Sequence, residues 1–218
     1  MRQYFKSKLI YPMGRLRNLS LCLNDTFLDQ QIPDGAKLVL VGKQSFTWDI
    51  NGKGDNIQLL NNNLTANKKV EVEYETVLGT IEISSGMHYW EIKIDKFVEL
   101  DDIIIGVSQK GMDLQQRSFE TGKFWGWICT GARKIFPSSP GGPPIAREYG
   151  CCAKIGETIG CLLEFKNNIG QLSFYKNGSF LGVCYDNLPA GSYYPTACLF
   201  YGEVQITLNP NATLEKKH

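Results

Sequence analysis

The chain has 218 residues, of which 43% are hydrophobic, and its formal net charge is +1. This length and hydrophobic content suffice for one large domain with a full apolar core. The 23 Lys and Arg residues are balanced by 22 Asp and Glu residues, so the composition lacks the basic surplus that nucleic acids and anionic membranes attract. We expect neither a nucleic acid nor a membrane as a partner.

The seven cysteines form no recognisable disulfide or metal pattern. No CxxC pair occurs and only two histidines are present, so we expect no metal site and no cofactor. Cys161 and Cys184 fall in predicted strands as buried free thiols, and Cys151-Cys152 is interpreted as inert packing. Unpaired thiols and the lack of a signal-peptide pattern favour a cytoplasmic location, although five Asn-x-Ser/Thr triplets would suit a secreted protein.

The N-terminal region differs in pattern from the rest of the chain. Leu16, Leu19 and Leu23 suit one face of a short helix, whereas Leu19, Leu21 and Leu23 suit a strand. Periodicity alone leaves both possibilities open.

The next region is predicted to contain a strand at residues 37–41, followed by a long polar stretch. Residues 49–68 are rich in Asn and Gly and include Asn51-Gly52. Loops of this length tend to be functional or mobile, so this stretch is predicted to be a loop, either the wall of a binding pocket or a disordered excursion.

Alternating strands dominate from residue 86 onwards. Apolar residues alternate in residues 86–95 and again in residues 103–107, where Gly106 leaves room for a close neighbour on the opposite face. An aromatic strand follows, in which Trp125 and Trp127 are predicted to lie in the core.

The strongest pattern is a three-stranded meander over residues 156–185. Ile159, Cys161 and Leu163 alternate with residues of the opposite face, as in a strand with one buried side. Asn177-Gly178 then predicts a tight hairpin, because both residues tolerate positive φ.

About a dozen short strands can be counted, and no amphipathic helix is evident. The segment SSPGGPP (residues 138–144) is predicted to be an irregular loop. Runs at residues 195–200 and 204–208 are predicted to close the sheet. This pattern favours an all-β fold, an antiparallel two-sheet β-sandwich.

Turn signals suggest the domain boundaries. Pro33-Asp34-Gly35 is a turn that separates the N-terminal region from the sandwich pattern. We therefore predict an N-terminal extension at residues 1–36, a β-sandwich at residues 37–210 and a C-terminal tail at residues 211–218.

Several of these strands resemble the signatures of the SPRY domain family. The similarity covers residues 76–208 and extends more loosely over residues 37–75. The matching motifs, in order, are SGMHYWE at 85–91, IGVS at 105–108, WGW at 125–127, GETIG at 156–160, LSFYKNG at 172–178, LGV at 181–183 and Tyr194-Pro195.

This resemblance implies a bent sandwich of the concanavalin-like jelly-roll type that acts as a non-catalytic protein-interaction module. Members bind short peptides or partner surfaces with loops gathered at one end of the sandwich, often as adaptors or target-recruiting domains. We accordingly expect a monomeric domain, a protein or peptide partner and no enzymatic activity.

The resemblance also implies binding residues. In peptide-binding relatives with a SOCS box, a hydrophobic-Trp-Gly triplet before the final strand lines the pocket, and Phe200-Tyr201-Gly202 occupies that place here. An aromatic residue after the GVS-type strand contributes too, for which Phe119, with Met112, is the candidate. Asp49 and Asn51 are expected to help orient the ligand.

Other functions remain open at this point. A carbohydrate-binding, lectin-like sandwich is the main alternative, and a docking block with a flat face is a third. An enzyme is least favoured, because His88 lies mid-strand as a structural residue and the possible carboxylate pair Glu91 and Glu164 lies opposite the apolar face.

Overall fold

The fold consists of β-strands throughout the described part of the chain. A computed structural model describes residues 4–10, 16–22, 37–39, 45–70, 74–115, 122–136, 145–200 and 202–214, with side chains from residue 45 onwards except residues 134–146. Over these ranges it contains 17 strands and no helix, which confirms the all-β prediction.

Contacts divide the chain into two compact units, Met1–Ser45 and Phe46–His218. In the first unit, β1 (Tyr4–Ile10) pairs with β2 (Leu16–Cys22) and with β3 (Lys37–Val39) in a small antiparallel sheet. The leucine-rich segment whose periodicity suited either a helix or a strand is therefore a strand. β3, which follows the predicted boundary at residue 36, belongs to this sheet.

The second unit consists of two antiparallel seven-stranded sheets. We call them the first sheet, in the order β12-β11-β10-β9-β16-β7-β4, and the second sheet, in the order β15-β14-β13-β8-β17-β6-β5. The strands are β4 (Trp48–Lys53), β5 (Ile57–Leu60), β6 (Thr65–Lys68), β7 (Glu75–Gly79), β8 (Met87–Lys96), β9 (Ile103–Ser108), β10 (Phe124–Ile128), β11 (Arg133–Phe136), β12 (Ile145–Glu148), β13 (Thr158–Lys166), β14 (Ile169–Lys176), β15 (Ser179–Leu188), β16 (Tyr194–Leu199) and β17 (Val204–Asn209).

The main core lies between these two sheets. Trp48, Trp90 and Trp127 are completely or almost completely buried there, together with the alternating apolar residues of both inner faces. Trp125 is also buried in this core, as predicted. Trp127 of the first sheet contacts Phe174 of the second, with ring centroids 5.3 Å apart. The two-sheet sandwich prediction is confirmed.

The predicted meander is confirmed as β13, β14 and β15. Ile159, Cys161 and Leu163 are fully buried on its inner face. Asn177 and Gly178 form the hairpin turn, with φ of 49° and 76°. The Asn177 side-chain oxygen also accepts a hydrogen bond from the Thr158 amide at 2.9 Å, so this residue both makes the turn and anchors it to β13.

One prediction of irregular structure was wrong, and the other, the loop at residues 138–144, lies outside the described residues. The polar stretch of residues 49–68 is not a loop, because it forms most of β4 and all of β5 and β6. The asparagines 61–63 make a compact turn with positive φ between β5 and β6. Strands β11 and β12, on either side of residues 137–144, were not anticipated.

The last two strands are central, which corrects the prediction that they close the sheet. β16 lies between β9 and β7 in the first sheet, and β17 lies between β8 and β6 in the second. The connection between them, at residues 200–203, therefore passes from the middle of one sheet to the middle of the other.

The cysteine predictions were partly correct. Cys161 and Cys184 are buried free thiols, as expected. Cys151 and Cys152 are both exposed, so their interpretation as packing residues was wrong. They lie in the segment between β12 and β13, where no strand covers them.

Candidate functional site

A second apolar cluster covers the outer face of the first sheet, which is the face directed away from the second sheet. On β9, Ile103 and Ile105 belong to the main core, whereas Ile104 between them belongs to this outer cluster. The other buried members are Tyr74, Phe124, Ile128 and Cys198, and the partly buried residues packed against them are Met112 and Phe200.

Two of the predicted binding residues, Met112 and Phe200, thus pack against the same cluster. Met112 comes from the loop after β9 and Phe200 from the connection between β16 and β17, 88 residues later in the chain. Both are half-buried, so each contributes one side to the cluster and leaves the other accessible. Gly202 is buried, and Tyr201 and Phe119 lie outside the described residues.

Phe200 is held in place by a stacked aromatic contact. Its ring lies 4.0 Å from the ring of Tyr74, with 16° between the two planes. Its backbone amide donates a hydrogen bond to the Asp102 carbonyl at 2.8 Å. A side chain fixed on two sides costs little conformational entropy when a ligand packs on its remaining surface.

Hydrogen bonds join the chain segments next to Tyr74 and Met112. The Asn56 side chain donates to Glu75 Oε1 at 2.7 Å, and the Asn56 amide donates to the same oxygen. The Asp55 amide donates to Gln115 Oε1 at 3.1 Å, which ties the β4–β5 turn to the loop after β9. The Thr76 amide donates to the Leu114 carbonyl at 2.9 Å, so the same loop is also tied to β7.

We call this region the loop-end site, defined by Tyr74, Met112 and Phe200 as apolar residues and Asn56, Glu75 and Gln115 as polar residues. Sequence reasoning missed Tyr74 and the polar residues. Asn56 and Glu75 are 19 residues apart, and only the pairing of β4 with β7 brings them together.

The predicted polar residues Asp49 and Asn51 lie elsewhere. The pairing of β4 with β7 runs from Trp48 opposite Gly79 to Lys53 opposite Val77, so the residues between form an irregularity on an edge strand. Within it, the Asn51 amide donates to Asp49 Oδ1 at 2.9 Å. The structure therefore does not bring this pair into the loop-end site, and Asn56 occupies the place expected for a polar group.

Three buried charged side chains lie close to the loop-end site. Lys68 at the end of β6, Glu75 at the start of β7 and Asp102 before β9 are all almost completely buried. Burial lowers the pKa of Lys68, although Glu75 and Asp102 act against that shift. Burial raises the pKa of Asp102, although its carboxylate accepts hydrogen bonds from the Val98 and Glu99 amides.

The residues considered for catalysis are placed far from one another or are engaged in local contacts. His88 Nε2 lies 2.6 Å from the Ser85 carbonyl oxygen. Glu91 is opposite Gly160, whereas Glu164 is opposite Met87, so the two carboxylates are four residues apart along the paired strands.

Among the described side chains, no group of three or more His, Cys, Asp or Glu residues is arranged to hold a metal ion. In the same part of the chain, no helix has the length and apolarity needed to cross a bilayer.

Comparison with known proteins decides the family. The family model for the SPRY domain matches residues 87–211, which is more than half of the chain. The chain belongs to the SPRY domain family. The matched region begins at β8 and includes the meander, β16, β17 and the connection that carries Phe200.

Two curated relatives of the chain come from insects. F-box/SPRY domain-containing protein 1 of Anopheles gambiae is 28% identical over 144 residues, which are 60% of this chain and 51% of the relative. The protein of the same name from Drosophila melanogaster is 26% identical over 168 residues, which are 74% of this chain and 64% of the relative. The chain thus spans between half and two thirds of the length of these relatives.

Solved SPRY structures share the fold. The SPRY domain of human HERC1 aligns with a TM-score of 0.62 at 16% identity, covering 76% of this chain and 99% of that domain. The TRIM65 PSpry domain aligns with a TM-score of 0.58 at 14% identity, covering 76% of this chain and 92% of that domain. SPRY domains are in general non-catalytic interaction modules, which places this chain among protein-interaction folds.

Proposed function

We propose that this SPRY domain captures a short segment of a partner protein at the loop-end site and serves as a target-recruiting or adaptor domain. The observation that carries the proposal is the half-buried Phe200 stacked on Tyr74. Rigid aromatic residues that remain partly accessible supply much of the binding free energy in protein interfaces.

In this proposal the partner inserts one apolar side chain against Phe200 and Met112. The family resemblance implies Tyr201 and Phe119 as further contact residues, and both lie outside the described residues. The Asn56–Glu75 and Asp55–Gln115 hydrogen bonds hold the surrounding loops in position before binding, so little loop ordering is required when the ligand arrives. The Gln115 side-chain amide group then donates hydrogen bonds to the backbone of the bound segment.

The adaptor role is supported by the relatives. Their names join an F-box to a SPRY domain, and in such an arrangement the SPRY domain is the part suited to contact a partner. We further propose that the domain works as a monomer in the cytoplasm, without a cofactor and without catalysis.

Peptide arrays probed with purified protein test this function. We expect Phe200→Ala and Tyr201→Ala each to lower the affinity for a captured peptide by about tenfold or more, as is typical for a central aromatic anchor. Ile169→Ala is the matched control, because Ile169 is 49% exposed at the β13–β14 turn of the second sheet, and it should bind normally. Urea denaturation of each variant separates lost binding from lost folding.

Two results would contradict the proposal. Unchanged peptide capture by the folded Phe200→Ala and Tyr201→Ala variants would remove the loop-end site from the interaction. Glycan-array binding without any peptide binding would favour the carbohydrate-binding alternative instead.

A further inference from the structure

An aromatic ladder crosses the outer face of the second sheet, which is the face directed away from the first sheet. Tyr89 on β8 contacts Tyr175 on β14 edge to face, with ring centroids 5.7 Å apart. Tyr175 in turn contacts Phe180 on β15 at 5.1 Å. We call these three residues the aromatic ladder.

Gly160 allows the ladder to cross β13. A Cβ atom at this position would collide with the Tyr89 hydroxyl, so a larger residue would push the ring off the sheet. Gly160 is paired with Glu91 on one side and with Tyr175 on the other. The Tyr89 ring therefore lies over Gly160 and reaches Tyr175.

Exposed apolar side chains lie in the ladder and beside it. Phe180 is 57% exposed, Met87 at the start of β8 is 54% exposed, and Val183 on β15 is 41% exposed. Single exposed apolar residues are ordinary, but several on one face of a sheet indicate an interaction surface.

Carboxylates outnumber ammonium groups on this face. Glu91 accepts a hydrogen bond from the Tyr89 hydroxyl at 2.9 Å, and Glu164 lies close enough to Tyr175 to contribute to the raised pKa of its phenol, after burial. Lys93 is already paired with Asp95 at 3.2 Å. Strand alternation directs Glu91, Lys93 and Asp95 on β8 outward, and Glu164 and Lys166 on β13 likewise; Asp186 on β15 is exposed.

A cleft of about 320 Å³ adjoins the ladder. Tyr89 and Glu91 form one wall, Thr158 and the Asn177-Gly178 turn form another, and Leu214 lies at its border. The cleft joins the apolar surface of the ladder to a recess lined partly by polar residues. This difference along the surface gives a bound chain a defined direction.

We propose that the aromatic ladder and this cleft form a second docking surface, for an extended protein segment that carries an arginine between aliphatic residues. The guanidinium stacks on the tyrosine rings and pairs with Glu91 or Glu164. The neighbouring aliphatic side chains pack on Phe180, Val183 and Met87. This surface is on the second sheet and the loop-end site is on the first, so the domain holds two segments at once.

The test uses fluorescence polarisation with short labelled peptides that carry one Arg between Leu residues, and with matched peptides that carry Gln instead. We expect the Arg peptides to bind about tenfold more tightly than the Gln peptides. Phe180→Ala should weaken binding of the Arg peptides by about tenfold, and the Glu91→Gln, Glu164→Gln double variant should weaken it and flatten its salt dependence.

Two controls separate this surface from the loop-end site. Leu100→Ala replaces an equally exposed apolar residue outside the ladder and should bind the Arg peptides normally. Phe200→Ala should also bind them normally, whereas it should lose the ligand of the loop-end site. In amide NMR spectra, the Arg peptides should shift signals of β8, β13, β14 and β15.

Several outcomes would overturn the inference. They are equal binding of Arg and Gln peptides, no binding of either, unchanged binding by Phe180→Ala, or shifts confined to the loop-end site. Dissociation of a wild-type dimer by Phe180→Ala would assign the ladder to a second copy of the chain. Binding of glycans alone at the cleft would assign it to carbohydrate.

Discussion

The Tyr185 hydroxyl donates a hydrogen bond to the Gly126 carbonyl at 2.7 Å, and the contact is buried. Tyr185 belongs to β15 in the second sheet and Gly126 to β10 in the first. This hydrogen bond therefore joins the two layers across a mostly apolar core. Its direction and length fix the two sheets relative to each other in a way that apolar packing alone does not.

Tyr185→Phe should lower the free energy of unfolding by about 1 kcal/mol or somewhat more, because it removes a buried hydrogen bond and keeps the ring. Urea denaturation measures the change. Tyr194→Phe is the matched control, since its hydroxyl donates to Glu82 at an exposed position, and it should change stability much less. Equal effects of the two substitutions would show that the buried hydrogen bond between the sheets contributes no more stability than the exposed one.

Gly106→Ala should destabilise the domain by about 3 kcal/mol or more. A Cβ at this position would collide with the backbone of Trp125 and Gly126 on the paired strand β10, and a backbone neighbour in a central strand cannot move aside. The close approach of the β10 backbone therefore explains why residue 106 is a glycine. Thermal and urea denaturation measure the loss.

Gly178→Ala is the comparison for Gly106→Ala. Nothing lies within 4 Å of a Cβ at residue 178, and only its φ of 76° disfavours alanine, so we expect a cost of about 1 kcal/mol. A larger loss for Gly178→Ala than for Gly106→Ala would contradict the steric explanation.

Asp102→Asn should become progressively more stable than the wild type as the pH rises from acidic values. Burial holds the folded-state pKa of Asp102 above that of the unfolded chain, which is about 3.9. The unfolded state then releases its proton first, so the wild type loses stability as the pH rises from that value to the folded-state pKa. Asparagine keeps an acceptor for the Val98 and Glu99 amides and has no proton to lose.

Urea denaturation at several pH values between about 3 and 7 checks the Asp102 prediction. Glu203→Gln serves as a control of opposite sign, because the hydrogen bond and charge of Lys96 lower the pKa of Glu203. The wild type should gain stability relative to this variant as the pH rises. Parallel curves for the wild type and Asp102→Asn would show that the ionisation of Asp102 is not linked to folding.

Cys151 and Cys152 should react rapidly with iodoacetamide in the native protein, because both are exposed. Cys129 and Cys161 should react only after denaturation, since both are buried and burial raises the pKa of each thiol. Peptide mass spectrometry assigns the modified residues. Slow labelling of Cys151 and Cys152 at the rate of the buried thiols would show that this segment is covered in solution.

The parts of the fold that could be predicted from sequence are those with short-range patterns. Alternation at Ile159, Cys161 and Leu163 and the Asn177-Gly178 turn depend on neighbours in the chain, and the meander was therefore correct. The assignment of β16 and β17 to different sheets depends on pairing partners about 100 residues earlier, and local pattern contains no information about it.

The polar strands show the same limit. Thr65 and Asn67 on β6 are buried although they are polar, and Thr65 bonds to Thr207 on the adjacent strand at 2.9 Å. Hydrophobic alternation cannot reveal a strand whose polar groups are satisfied by its neighbours. For the same reason the expected loop at residues 49–68 was wrong.

The candidate site was predictable only in part. The aromatic residue Phe200 and the sulfur-containing Met112 could be named from the family resemblance, and both border the outer cluster. Their partners Tyr74 and Glu75 could not be named, because the run from residue 70 to 75 reads simply as an alternating strand. Position in the assembled sheets, and not residue type, makes them part of the loop-end site.

The central positions of β16 and β17 have a consequence for biosynthesis. Until Asn209 has left the ribosome, each strand that flanks these two positions lacks one of its two partners, and neither layer is continuous. Folding of the sandwich must therefore await the synthesis of β17, and a nascent chain that stops at residue 190 leaves an open seam in each sheet.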